Sequence, residues 1–72
     1  MITGKLLDNI LTFLKKVYKK LDLGPQTYIS MRNDFKNGHL DEWRNFFMNT
    51  PYEDEFEDLI TEVEIFKEDN NI

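Results

Sequence analysis

His39 is the single histidine in this chain of 72 residues, and no cysteine accompanies it. A nucleophile–base pair would therefore have to join His39 to Ser30 or to a threonine. His39 follows a glycine turn, and no strand–turn–helix elbow or oxyanion loop is legible around either hydroxyl type. The carboxylates Glu53/Glu57 and Asp54/Asp58 share helical faces at i, i+4. Acid–base work by such pairs needs a concave, partly dry pocket that drives their pKa values apart, and the first turn of an exposed helix supplies none. The run Asn33-Asp34-Phe35-Lys36-Asn37-Gly38-His39-Leu40 has the glycine and following apolar residue of a calcium loop. With Gly38 at the sixth loop position, Phe35 and Arg44 occupy positions that need an oxygen donor and a bidentate glutamate. The expectation is a protein without catalytic residues, cofactor or metal.

The elements that would position a binding surface follow from apolar spacing and punctuation. From Gly4 to Asp22 the residues Leu6, Leu7, Ile10, Leu11, Phe13, Leu14, Val17, Tyr18 and Leu21 cover one arc about 160° wide. Lys15, Lys16, Lys19 and Lys20 oppose it. Thr3 stands at the N-cap position, and Gly24-Pro25 stops the helix, leaving Leu23 outside the arc. A shorter helix is predicted over 28–36, capped by Thr27, with Tyr28, Met31 and Phe35 on one stripe and Asn37-Gly38 as its end. Asn-Gly is also a hairpin signal, but its flanks do not alternate apolar and polar, which rejects strands.

A third helix is predicted over 40–49 with Leu40, Trp43 and Phe47 inward and Phe46 at the edge. Trp43 is expected to be largely buried near Phe47 and Phe56. Thr50-Pro51-Tyr52-Glu53 then reads as a capping box, with threonine at the N-cap, proline at N1 and glutamate at N3. It opens a fourth helix over 51–67, ahead of a frayed tail at 68–72. Tyr52, Phe56, Leu59, Ile60, Val63 and Phe66 form its stripe.

The predicted fold is all-α: one compact four-helix domain over residues 1–72, with two long helices and two short ones forming a corner between them. At this size a single core leaves little net stability, so either aromatic bulk or a homodimer must strengthen it. Six Phe, three Tyr and Trp43 supply that bulk. The chain has no alanine, and seven Lys stand against two Arg beside seven Asn. That bias fits a low-GC bacterial or viral genome. Zero cysteine and no legible signal or spanning segment fit the cytoplasm of a bacterial or host cell.

Charge divides along the chain. Residues 51–72 hold nine acids against Lys67, a balance of −8, whereas residues 1–50 hold eight basic and five acidic side chains, a balance of +3. Asp54, Glu57, Asp58, Glu62 and Glu64 point away from the apolar stripe of the fourth helix, with Ile65 among them. This pattern points to a non-enzymatic regulator or inhibitor that uses the acidic face against a basic, nucleic-acid-binding partner protein, as antagonists from phages and mobile elements do. Direct nucleic-acid binding is disfavoured by the net charge of −5. Two alternatives remain. One is an immunity-type bundle near a membrane, acting through the first helix's lysines. The other is a structural subunit that binds itself.

Overall fold

The computed structural model describes residues 2–70. The chain folds as the predicted all-α domain: α1 spans Gly4–Lys20, α2 Pro25–Lys36, α3 Arg44–Phe47 and α4 Glu53–Asp69, with a single 3₁₀ turn at Leu40–Trp43 before α3. No strand occurs among the described residues. α1 runs antiparallel to both of its long neighbours. Toward α2, the Ile2 N–H donates to the Lys36 carbonyl at 2.9 Å at one end, and Tyr18 meets Tyr28 at the other. Toward α4, Lys16 pairs with Glu55 at one end, and Leu6 lies across from Phe66 at the other.

Each helix sends one fully buried phenylalanine to the centre: Phe13 from α1, Phe35 from α2, Phe47 from α3 and Phe56 from α4. Phe56 stacks on Phe47 with ring centroids 4.5 Å apart and meets Phe35 at 5.8 Å and Phe13 at 6.2 Å. The four rings form one hub, around which Ile10, Leu14, Val17, Met31, Leu40, Leu59, Ile60 and Val63 complete the core. Burial of each such side chain contributes about 1.5–3 kcal/mol. A chain without disulfides thus concentrates its apolar area in aromatic rings. Ile2 is buried as well, so the segment ahead of α1 is tied to the end of α2 by packing and by a hydrogen bond.

Several helix ends differ from the sequence reading. α1 stops at Lys20 rather than Asp22, because Asp22 adopts a left-handed φ of 53°. Leu23 lies beyond the helix, outside its arc as expected, and packs against the core. α2 begins at Pro25 rather than Tyr28, with Gly24 at the N-cap, so Thr27 is helical and not a cap. Proline suits the first helical position, where its missing N–H removes no intrahelical bond. The predicted single helix over 40–49 is instead the 3₁₀ turn plus the four residues of α3. The chain leaves α3 at Met48 in extended geometry and turns at Asn49, whose φ is 66°.

Regular helix α4 starts at Glu53, two residues later than expected. Thr50 Oγ1 accepts from the Tyr52 N–H at 3.3 Å while donating to the Phe47 carbonyl at 2.7 Å. Neither half of the predicted capping box is made: Tyr52, not Thr50, is the N-cap, the Glu53 N–H donates to the Thr50 carbonyl at 3.2 Å, and the Thr50 N–H donates to the Phe47 carbonyl at 3.1 Å. At its far end α4 continues to Asp69, where the predicted fraying at 68–69 gives way to helix. The Asn70 side chain donates to the Phe66 carbonyl at 2.8 Å and satisfies an end that would otherwise open. The rest of the predicted tail, residues 71–72, lies outside the described residues.

Asn37-Gly38 ends α2 as predicted. Gly38 N–H donates to the Phe35 carbonyl at 3.0 Å and His39 N–H to the Asp34 carbonyl at 2.8 Å, the paired closure of a Schellman motif. Gly38 has a φ of 82°, which L side chains rarely adopt. A Cβ there would lie 2.6 Å from Lys67 Cε, and the Lys67 ammonium donates to the Gly38 carbonyl at 2.6 Å. The joint between α2 and the corner is thereby pinned to α4.

Candidate functional site

The buried side of α4 consists of Phe56, Leu59, Ile60 and Val63. This spacing leaves its other flanks to charged residues, and the fold sorts those flanks by what packs beside them. On the flank facing the corner, Arg44 of α3 makes a two-point contact with Glu57. Nε donates to Oε2 at 2.9 Å and Nη2 to Oε1 at 3.1 Å. That hydrogen bond, then the carboxylate charge, holds the Arg44 guanidinium above its usual pKa, with smaller contributions from Asp41 and Glu64. Glu64 and Asp41 line a small cavity of about 70 Å³ beside Lys67 and Gly38.

The opposite flank faces α1. Lys16 pairs with Glu55, and its ammonium lies 5.6 Å from the Tyr52 ring centroid and 5.8 Å from that of Phe13. Beyond this pair, Asp58 and Glu62 border a groove of about 290 Å³ whose other wall carries Asn9 and Thr12. The groove continues past Glu62 into a second section of about 310 Å³, lined by Leu6, Ile65 and Phe66 with Lys5 and Asp69 at its mouth.

The six residues expected to bind a partner therefore do not form one patch. Asp58, Glu62 and Ile65 come together along the α1–α4 groove. Glu57 and Glu64 lie toward the corner, and Asp54 is exposed in the first turn. Among the described residues, Asp54, Asp58, Glu62 and Glu64 make no ion pair. Ile65 is 53% exposed, the most exposed of the large apolar side chains among the described residues. The contribution of Leu6, Asn9 and Thr12 was not legible from charge or periodicity, because it depends on how α1 is rotated against α4.

Other surfaces changed too. Of the four lysines opposite the arc of α1, Lys16 turns toward Glu55 while Lys15, Lys19 and Lys20 stay exposed. Tyr18 is exposed at the α1–α2 seam against Tyr28, whose ring centroid lies 5.8 Å from Arg32, and Ile29 of α2 is exposed too. Trp43 is half-buried rather than largely buried. Its Nε1–H donates to Asp34 Oδ2 at 2.7 Å, and its ring meets Phe46 edge-on at 5.6 Å. A tryptophan in a polar-lined position keeps its N–H paired by staying near the surface. Phe46 leaves part of its area exposed next to it, and Met48 is exposed as well.

His39 Nδ1 lies 2.8 Å from Glu42 Oε2, and both side chains are exposed. Among the described residues, no serine or threonine hydroxyl hydrogen-bonds to His39, and no three His, Asp or Glu side chains converge as a cation site. No described helix is long and apolar enough to cross a membrane. No family model matches the chain, and neither the curated proteins nor the solved structures include one significantly similar to it.

Proposed function

We propose that this protein is a non-enzymatic regulator or inhibitor that binds a basic partner protein through α4, in the manner of small antagonists from phages or mobile elements. One observation carries the reading. Lys16 and Arg44 are committed to Glu55 and Glu57 and the Lys67 ammonium to the Gly38 carbonyl, while Asp54, Asp58, Glu62 and Glu64 make no ion pair among the described residues. Unpaired carboxylates on one helix generate a single-sign field that repels within the fold but speeds encounter with a positive surface. A protein that normally holds a nucleic-acid backbone offers such a surface, since carboxylates spaced along a helix present charges where phosphates would lie. The absence of cysteine suits a reducing compartment, the cytoplasm of a bacterium or host cell.

The test is a bait comparison. Wild-type protein and the triple variant Asp54→Lys, Asp58→Lys, Glu62→Lys are immobilised and challenged with host lysate, and captured proteins are identified by mass spectrometry. Wild type should retain a basic protein that salt releases, and the reversal should lose it while keeping its helical signal and melting temperature. Equal capture by both baits removes the acidic face from consideration. Self-association is a second reading, favoured by the exposed ring of Phe46 against Trp43 and by the exposed Met48. Sedimentation equilibrium separates it: a salt-insensitive dimer abolished by Phe46→Ser would move the function there.

A further inference from the structure

The acidic face is not flat. Between α1 and α4 runs an open groove, with Glu55 and Lys16 at one end and Asp69 and Lys5 at the other. From Glu55 to Asp69 the wall is α4 itself, so at 1.5 Å per residue the groove is roughly 21 Å long, or about four helical turns. Its lower section has an apolar floor of Leu6, Ile65 and Phe66. Ile65 is exposed, although two faces of the same helix are devoted to burial and to charge. The two rims are unlike. On the α4 side stand Asp58, Glu62 and Asp69, none in an ion pair with a described residue. The α1 side carries the uncharged Asn9 and Thr12 between its terminal lysines.

We infer that this groove receives one amphipathic basic helix from the partner protein, lying along the seam between α1 and α4. The inference rests on the proposed function and specifies its partner. An apolar stripe at i, i+3, i+4 and i+7 would cover Leu6, Ile65 and Phe66, which is the usual economy of helix-in-groove recognition. Lysines or arginines along only one flank of that stripe would meet Asp58, Glu62 and Asp69, and the other flank would meet neutral polar groups. Charge complementarity thus fixes which side of the incoming helix is basic, and the length of the groove fixes about fourteen residues of it.

Two synthetic peptides of about 18 residues and equal composition test this directly. Both contain only leucine and lysine; one places the leucines on a single helical stripe, and the other scatters them around the helix. The patterned peptide should gain helical circular dichroism on binding. It should shift the amide resonances of Leu6, Asn9, Glu62, Ile65 and Phe66, and bind about tenfold more tightly than the scattered one. Ile65→Ser should remove most of that advantage, because it takes away the exposed floor residue and nothing from the core. The scattered peptide should then bind the variant and wild type alike, through charge alone. If both peptides bind wild type equally and Ile65→Ser changes neither, the groove is overturned while the acidic face stands. If neither peptide binds at low salt, both readings fall. Shifts centred on Phe46 and Met48 would also overturn the groove.

Discussion

On one side α4 carries Phe56, Leu59, Ile60 and Val63, all buried; around the rest of its circumference it carries Asp54, Asp58, Glu62, Glu64 and Ile65, all exposed. The same seventeen residues of helix thus serve two demands with no shared side chain. The inner side is over-determined: Phe56 touches a ring from every other helix, and any change in its volume is felt by all of them. The outer side is under-determined by folding, since nothing in the core requires a carboxylate at 54, 58, 62 or 64. Packing leaves these positions free, and the proposed function gives the repeated negative charge a cause outside the fold.

This contrast breaks first at Phe56. Phe56→Ala should cost about 3–5 kcal/mol, enough to leave so small a domain mostly unfolded, as read by urea titration of the helical signal. A loss below about 1 kcal/mol would mean the hub is not the centre of stability. Next is Gly38→Ala, expected to cost about 1–3 kcal/mol, since its left-handed φ and the approach of Lys67 both oppose a Cβ. Thr50→Ala should cost about 1 kcal/mol, losing the acceptor for Tyr52 N–H and the tie to the Phe47 carbonyl. An unchanged denaturation midpoint would show that the turn ahead of α4 holds without its threonine. Smallest is the double neutralisation Asp58→Asn, Glu62→Gln. It should leave the midpoint unchanged or raise it slightly, as like charges are removed from one flank. A marked loss would place those carboxylates in the fold's own economy and erase the contrast.

Much of the inner side was legible in the sequence, because core positions announce themselves by period. Phe13, Phe35, Phe47 and Phe56 all fall on stripes read from spacing alone. What failed was punctuation that serves two elements at once. Pro25 reads as the stop of α1, yet the same ring starts α2. Leu40, Trp43 and Phe47 keep their inward spacing whether the backbone is α-helical or 3₁₀, so the break at Arg44 left no trace in the pattern. Trp43 was assigned by bulk, while its N–H and the carboxylate of Asp34 decided its depth. On the outer side, the outward direction of the acids was readable but their neighbours were not. Arg44 reaches Glu57 and Lys16 reaches Glu55 across 13 and 39 positions of chain, contacts that exist only once α1, α3 and α4 are in place.

The hub also sets the order in which the molecule can be made. During synthesis Phe13, Phe35 and Phe47 are added before the ring on which they converge. At about 5–20 residues per second, the interval between Phe13 and Phe56 is roughly 2–9 s. Through that interval the nascent chain displays an amphipathic α1 whose apolar arc has no α4 to cover it. Translation speed thus sets how long that arc stays uncovered, and slow codons placed between Phe13 and Phe56 would lengthen the interval.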